Sequence, residues 1–240
     1  MVAWSWPHLR GRYAFATCFF CLGLILIRTA ANLSNAVAAS LAAWLSFDLF
    51  VLAAVYIFQM PTVFGKTRRG SMRPIPAILM MPFLLTAWTV WWLQKSLLRE
   101  PPWHEVAPGT FVGRRCRPAE FPPNTSTVID CTAEFPTNRA ARRSLRWLSI
   151  PVLDGCAPTW KDCLAACDFV EEAANSAVFV YCANGHGRSV TVAAVLLIRR
   201  GLSRTPQAAV EAITRCRPKA SLNVEQWKFL EEASRRMVSF

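Results

Sequence analysis

The pattern of hydrophobic and polar positions in this chain changes near residue 100. Before that point the apolar residues form three long runs, at residues 13–27, 36–60 and 75–93. With the small residues that follow Arg28, the first run reaches about twenty residues, close to the length that crosses a bilayer. The second run carries one charge, Asp48, and the third carries none. Residues 1–100 are therefore predicted to be a membrane region with about three transmembrane helices.

Beyond residue 100 the apolar positions form short runs separated by turns. Residues 101–109 are rich in proline, which predicts a linker. In residues 110–240 strand-like runs and helical spacing alternate, which predicts one α/β domain with a mainly parallel central sheet flanked by helices. Its strands are predicted at residues 110–113, 127–130, 146–153 and 178–181. Its helices are predicted at residues 160–175, 190–200, 206–216 and 224–237.

Composition and charge indicate a membrane and phosphorylated partners. Hydrophobic residues make up 53% of the chain, and the net charge is +12. Both halves are cationic, which suits an anionic lipid surface or a phosphorylated substrate. The sequence has no basic helix and no aromatic–basic repeat, so nucleic-acid binding is not expected. Nine irregularly spaced cysteines with three histidines do not have metal-ligand spacing, so no metal site is expected, and an odd cysteine count favours a reducing compartment.

A candidate catalytic stretch begins where the fourth predicted strand ends. Cys182 follows that strand, and a short loop with Gly185 and Gly187 then leads into a helix. A loop that closes on a helix N-terminus presents backbone N–H groups without intrahelical partners, and these favour a bound phosphate. Arg188 adds a planar fork that matches two phosphate oxygens. The same field favours the thiolate form of Cys182, which is the nucleophilic form.

The spacing of Cys182, Gly185, Arg188 and Ser189 resembles the signature loop of the cysteine-dependent protein tyrosine phosphatase superfamily. Three flanking segments resemble, in the correct order, parts of its dual-specificity phosphatase family, and they lie at residues 110–115, 126–134 and 217–227. The resemblance covers roughly residues 110–233. It implies a phosphoric monoester hydrolase that works without metal or cofactor and forms a phosphocysteine intermediate.

The resemblance also implies a role for each residue of the site. Cys182 attacks phosphorus, Ser189 hydrogen-bonds the sulfur and eases its departure, and Asp154 protonates the leaving oxygen as general acid. Asp130, which also ends a strand, ranks below Asp154 as the acid. The phosphate would be held by the Arg188 side chain and by the backbone amides of Ala183, Asn184, Gly185, His186, Gly187 and Arg188. The side chain of His186 would either meet the substrate or face solvent.

One position departs from the family pattern. Tyr181 stands where most relatives carry histidine. Because that histidine affects the thiolate fraction and the rate, its absence motivates an alternative function, a pseudophosphatase that binds phosphorylated ligands.

The predicted substrate is a phosphorylated protein, with a phospholipid or phosphoinositide as the alternative because the domain would be tethered near a bilayer. An acidic ligand could also bind the basic cluster Arg139, Arg142, Arg143 and Arg146, or that cluster is a solvated loop.

The basic residues and the catalytic thiol give conflicting indications of membrane orientation. The basic residues flank the first and third apolar runs, and they are Arg10, Arg12, Lys66, Arg68, Arg69 and Arg73. The positive-inside rule places both groups in the cytoplasm, so three spans would place residues 110–240 outside. A catalytic thiolate instead favours a cytoplasmic domain in a multi-pass protein. Either one run is interfacial or re-entrant, or the domain faces an extracytoplasmic space.

Overall fold

The computed structural model describes residues 11–173 and 177–238 of the chain. Its first part is helical, and its second part is a five-stranded sheet with helices. We call residues 12–98 the N-terminal helices and residues 103–238 the sheet domain. Arg10 and the end of the helix predicted at residues 160–175 lie outside the described residues.

The sheet domain has the predicted α/β architecture. The N-terminal helices are α1 (Arg12–Ala31), α2 (Ala36–Phe58), α3 (Pro74–Leu79) and α4 (Met81–Leu98). The strands are β1 (Trp103–Ala107), β2 (Thr110–Arg114), β3 (Thr125–Thr132), β4 (Arg146–Val152) and β5 (Ala177–Cys182). The remaining helices are α5 (Ala141–Ser144), α6 (Trp160–Glu171), α7 (Arg188–Arg199), α8 (Pro206–Cys216) and α9 (Val224–Val238). The strand order is β1-β2-β5-β3-β4, and every pair except β1 with β2 is parallel, which confirms a mainly parallel sheet.

Part of the segment predicted to be a linker belongs to the sheet. Residues 103–107 form β1, which pairs antiparallel with β2 and places Trp103 opposite Gly113. The Trp103 ring also packs edge-on against Phe111, with 5.4 Å between ring centroids. Cross-strand packing of this kind creates a strand that local composition does not predict.

Strand β5 lies at the centre of the sheet, and its side chains alternate between two apolar layers. Val178, Val180 and Cys182 face the layer that is covered by the buried face of α7. Phe179 and Tyr181 face the opposite layer, which is largely aromatic. Because this alternation is fixed by the strand, Cys182 and Tyr181 point to opposite sides of the sheet.

The third apolar run does not form one continuous helix. Helices α3 and α4 meet at Met80, because Pro82 has no N–H with which to continue the helical hydrogen bonds. Trp44 of α2 donates its indole N–H to the carbonyl of Leu79 at 2.8 Å, so this junction packs beside the middle of α2. Among the described residues, only α1 and α2 are long and apolar enough to cross a bilayer. The prediction of three transmembrane helices is therefore not supported.

The segment between α2 and α3 is anchored in the sheet domain. The side chain of Lys66 is fully buried, and its ammonium group donates to Asp130 at 2.7 Å and to the Thr132 hydroxyl at 2.7 Å. Burial alone would raise the pKa of Asp130, but Lys66 and Thr132 lower it below its ordinary value. The backbone N–H of Ser149 in β4 also donates to the carbonyl of Arg68 at 2.8 Å. The N-terminal helices and the sheet domain consequently share one hydrophobic core.

Candidate active site

The loop after β5 curls around the sulfur of Cys182. The backbone N–H of Gly185 donates to this sulfur at 3.2 Å, and the hydroxyl of Ser189 donates to it at 3.4 Å. Gly185 has a φ of +75°, and a Cβ at this position would lie 2.4 Å from the carbonyl carbon of Gly113. Only glycine fits there, because the loop passes close to the backbone of β2 in a left-handed conformation.

The carbonyl groups of residues 182–187 all point away from the centre of the loop. Each accepts a hydrogen bond of 2.7 to 2.9 Å, and the donors are the backbone N–H groups of Arg115, Ser221 and Thr191, the indole of Trp91 and the guanidinium of Arg217. Since the C=O and N–H of a peptide unit point in opposite directions, this arrangement turns the loop amides inward. The loop therefore forms a nest of inward-facing amides at the N-terminus of α7, an arrangement that can bind an anion.

The guanidinium of Arg188 lies beneath this nest and is almost fully buried. Glu134 accepts two hydrogen bonds from it, each 2.9 Å long, and the carbonyl of Val152 accepts a third at 2.9 Å. Burial alone would lower the pKa of Arg188, but Glu134 and then Asp154 raise it well above its ordinary value. Burial would likewise raise the pKa of Glu134, which Arg188 lowers overall. Both groups are thus charged at neutral pH, and within the described part of the chain the Arg188 Nε–H has no acceptor.

Asp154 lies on the loop after β4, beside the same guanidinium. Its carboxylate is 3.3 Å from Arg188, and its side chain is 68% exposed. The loop is fixed to the start of α9, since Asn223 donates to the carbonyl of Gly155 at 2.6 Å and Gln226 donates to that of Cys156 at 3.1 Å. A solvent-accessible carboxyl group is therefore held beside the buried guanidinium of Arg188.

Of the other candidate residues, two lie away from the sulfur. The ring of His186 contacts Glu100 at 2.8 Å, and burial lowers its pKa although Glu100 opposes the effect. Asp130 is buried with Lys66, so it is placed as an anchor and not as an acid of the site. The backbones of Ala183, Asn184 and Gly187 lie in the loop between β5 and α7.

Tyr181, the departure from the family pattern, faces the opposite side of the sheet from Cys182. Its ring packs against Trp147 at a centroid distance of 6.0 Å. Burial and a hydrogen bond with Asp130 raise the pKa of Tyr181 well above its ordinary value, so it stays protonated. Tyr181 therefore contributes to the Lys66–Asp130 anchor and does not contact the nucleophile.

The geometry agrees with comparisons to known proteins. Residues 124–233 match the family model described as "Swiss Army Knife protein, DSP-PTPase phosphatase domain". The fold is that of a dual-specificity phosphatase. Among solved structures, the chain is similar to PTPMT1 in complex with PI(5)P, with 21% identity, 57% of this chain and 97% of that chain covered, and a TM-score of 0.51.

Two further structures share this phosphatase fold. A mouse putative dual specificity phosphatase complexed with zinc tungstate has 23% identity, 58% and 91% coverage of the two chains, and a TM-score of 0.52. The active form of Tk-PTP has 26% identity, 57% and 98% coverage, and a TM-score of 0.51. A search of curated proteins finds no match to this chain.

Sequence reasoning missed three residues that shape the site of this phosphatase fold. Glu134 holds Arg188, Arg217 binds two loop carbonyls, and Trp91 binds a third. The position of Glu134 in the chain could have identified it as a site residue. It follows the carboxyl end of β3, the strand next to β5, and ligands of parallel sheets bind at such ends. No feature of the sequence indicated a role for Trp91 in the site, because its part of the chain was predicted to cross a membrane.

Proposed function

We propose that this chain is a cysteine-dependent phosphatase that hydrolyses phosphomonoesters through a phosphocysteine at Cys182. The observation that carries the proposal is the position of the Cys182 sulfur. It lies in a nest of inward-facing amides, with Arg188 beneath the nest and Asp154 beside that guanidinium. These groups supply a nucleophile, a phosphate-binding site and a proton donor, which together are sufficient for metal-free phosphoryl transfer.

In the proposed reaction, the loop amides and Arg188 bind the phosphate oxygens. The Cys182 thiolate forms a bond to phosphorus as the ester oxygen leaves, and Asp154 gives that oxygen its proton. A water molecule, deprotonated by Asp154, then breaks the sulfur–phosphorus bond and releases inorganic phosphate. The hydroxyl of Ser189, 3.4 Å from the sulfur, stabilises the thiolate as it departs.

Two substrate classes are compatible with this chemistry. A phosphoprotein is the first candidate, as expected for a dual-specificity or tyrosine phosphatase. A phosphorylated lipid is the second candidate, and it is supported by the PI(5)P bound to PTPMT1 and by an aromatic cavity beside the nest. The pseudophosphatase rival has less support, because Tyr181, which motivated it, points away from Cys182.

We further propose that α1 and α2 anchor the protein in a membrane as a helical hairpin. Only 17% of the apolar window of α1 and 39% of that of α2 are buried within the protein, unlike helices of a soluble core. Lys66 and Arg68 follow α2 and bind the sheet domain. These basic residues and the sheet domain therefore lie on the same side of the bilayer. The positive-inside rule then places the sheet domain in the cytoplasm, where a catalytic thiol stays reduced.

The test uses the full chain in detergent with 4-nitrophenyl phosphate, a simple alkyl phosphate and a phosphopeptide. We expect Cys182→Ser to lower kcat by about 10⁴-fold or more and to keep phosphate affinity. Asp154→Asn should lower kcat/KM, which reports formation of the phosphocysteine, by about 10²-fold to 10⁴-fold for the alkyl ester, and far less for nitrophenyl phosphate, whose leaving group needs no proton. Equal turnover by wild type and Cys182→Ser would refute the proposal. Phosphate binding without turnover by the wild type would favour the pseudophosphatase.

A further inference from the structure

A cavity of about 300 Å³ opens directly beside the phosphate-binding nest. At one end it is lined by Asp154 and by Ala183 and Asn184 of the loop. The rest of its wall is mainly aromatic and comes mostly from the N-terminal helices, with Phe19 of α1 and Tyr56 of α2 among the lining residues. The sheet domain adds Glu134, Phe135 and Leu153. The reacting groups and an apolar surface therefore belong to one continuous cavity, of a size that small-molecule sites occupy.

The aromatic wall is held in place by its own packing. Tyr56 stacks on Phe15 with 5.1 Å between centroids, and Phe19 contacts Phe83 edge-on at 6.0 Å. Trp91 connects this wall to the nest, because it lines the cavity and its indole donates to the carbonyl of Ala183 at 2.9 Å. Such a wall is pre-organised, so an apolar ligand binds it without first ordering the side chains.

The chemistry of the two ends identifies one class of ligand. A phosphopeptide would bring backbone N–H and C=O groups against the aromatic wall, where burying them without partners is costly. A hydrocarbon chain needs no such partners, and α1 and α2 are the helices proposed to lie in the bilayer. We infer that the substrate is a lipid monophosphate whose phosphate lies within a few bonds of its hydrocarbon chain, and that this chain occupies the aromatic cavity.

This inference rests on the proposed phosphatase function and specifies its substrate. The ester oxygen leaves as a long-chain alcohol with the proton from Asp154, the phosphoryl group passes to Cys182, and water releases it as inorganic phosphate. A lipid whose phosphate is carried on an inositol ring fits less well, because ring and glycerol separate that phosphate from the acyl chains. The alcohol would remain in the membrane while the phosphate leaves to water.

The first experiment measures chain-length dependence with the full chain in detergent micelles. The substrates are 1-alkyl phosphates from butyl to dodecyl, the lipid PI(5)P, a phosphotyrosine peptide and 4-nitrophenyl phosphate, and the readout is released inorganic phosphate. We expect kcat/KM to rise by up to about fourfold per methylene until the cavity is filled. The kcat/KM for dodecyl phosphate should exceed the values for PI(5)P and for the phosphopeptide.

A matched pair of variants separates binding in the cavity from partitioning into detergent. Thr86 and Thr89 lie on α4, and each hydroxyl donates to the carbonyl four residues earlier, at 2.9 and 2.8 Å. Thr86 lines the cavity, whereas Thr89 lines a different surface hollow. Thr86→Phe should lower the dodecyl-to-butyl ratio of kcat/KM by about tenfold or more, and Thr89→Phe should leave that ratio at the wild-type value.

Three results would count against the inference or its basis. The same chain-length dependence in wild type and both variants would mean that detergent partitioning causes it, and would overturn the inference. A preference for the phosphotyrosine peptide would overturn it in favour of a protein substrate. No turnover of any phosphomonoester, including 4-nitrophenyl phosphate, would overturn the proposed function itself, whatever the cavity binds.

Discussion

The sheet domain and the N-terminal helices meet at the same site, but they contribute different things to it. The sheet domain provides the candidate reacting groups, largely from the continuous stretch between Cys182 and Ser189. The N-terminal helices provide none of these groups; instead, Trp91 binds the carbonyl of Ala183, and Gln94 accepts a hydrogen bond from Asn184 at 3.0 Å. Most of the candidate reacting groups are thus encoded locally, whereas the cavity beside them forms only when the two regions pack together.

Removing the buried anchor between the two regions should have the largest effect on stability. In Lys66→Met the carboxylate of Asp130 loses the ammonium group that lies 2.7 Å away, and it stays buried. We expect a loss of about 3–5 kcal/mol in the free energy of unfolding, because an unpaired buried charge is costly. Thermal unfolding of the full chain in detergent measures this loss.

Lys95→Met is the control for that variant, since Lys95 lies on α4 and pairs with Glu120 at 3.6 Å while partly exposed. It should change stability by about 1 kcal/mol or less. The effect of Lys66→Met should also depend on pH. The lowered pKa of Asp130 means that its stabilising contribution is present above the ordinary value of 3.8 and is lost as the pH falls through the folded-state pKa. A difference from wild type that persists unchanged in acid would contradict the anchor.

Glu134→Gln tests whether the sheet domain pre-positions its arginine. The carboxylate of Glu134 holds Arg188 with two hydrogen bonds of 2.9 Å, and glutamine offers one acceptor and no charge. We expect kcat/KM for 4-nitrophenyl phosphate to fall by about 10²-fold, because small displacements of a phosphate-binding group are costly. Steady-state kinetics on the folded variant measure the change.

The matched control for this substitution is Glu172→Gln. Glu172 pairs with Arg146 at 3.0 Å, but its side chain is 70% exposed and the pair lies at the surface. Its loss should change kcat/KM by less than about twofold, as exposed pairs contribute little. If both variants lost the same activity, Glu134 would have no specific role in positioning Arg188.

Much of the sheet domain could be predicted from the sequence because its signals are local. The prediction for α8 is correct at both ends, since Thr205 caps the helix by accepting from the Ala208 N–H at 3.1 Å and Pro206 begins it. The stretch around Cys182 was likewise readable from glycine, arginine and serine at fixed spacing. Strand β1 could not be predicted from a local pattern, because residues 103–107 become a strand only by pairing with β2.

The N-terminal helices were less predictable because hydropathy alone does not report what a helix packs against. Residues 75–93 are apolar enough to suggest a span, yet Pro82 breaks the run and Trp91 binds the loop after β5. Lys66 was counted among the basic residues that indicate the cytoplasmic side, but Asp130 binds it in the core. In both cases a distant partner decides the outcome, and no local pattern identifies that partner.

Cysteine labelling tests the proposed topology and should affect neither stability nor activity. Because α3 and α4 pack beside α2 and return to the sheet domain, Ser71→Cys and Glu105→Cys should react with an impermeant thiol reagent from the same side of sealed vesicles. Ser34→Cys, in the turn between α1 and α2, should react from the other side. The wild-type chain, with its native cysteines, measures the background. Labelling of positions 71 and 105 from opposite sides would restore a third span.

The most direct test of the account is to find the phosphoryl group on the enzyme. Asp154 is proposed to activate the water that breaks the sulfur–phosphorus bond, so the intermediate should accumulate in Asp154→Asn. The measurement is peptide mass spectrometry of this variant, quenched with acid during turnover of 4-nitrophenyl phosphate. We predict a phosphate adduct on the peptide that contains Cys182. An unmodified Cys182 peptide, or an adduct on another residue, in an enzyme that is still releasing nitrophenol would contradict it.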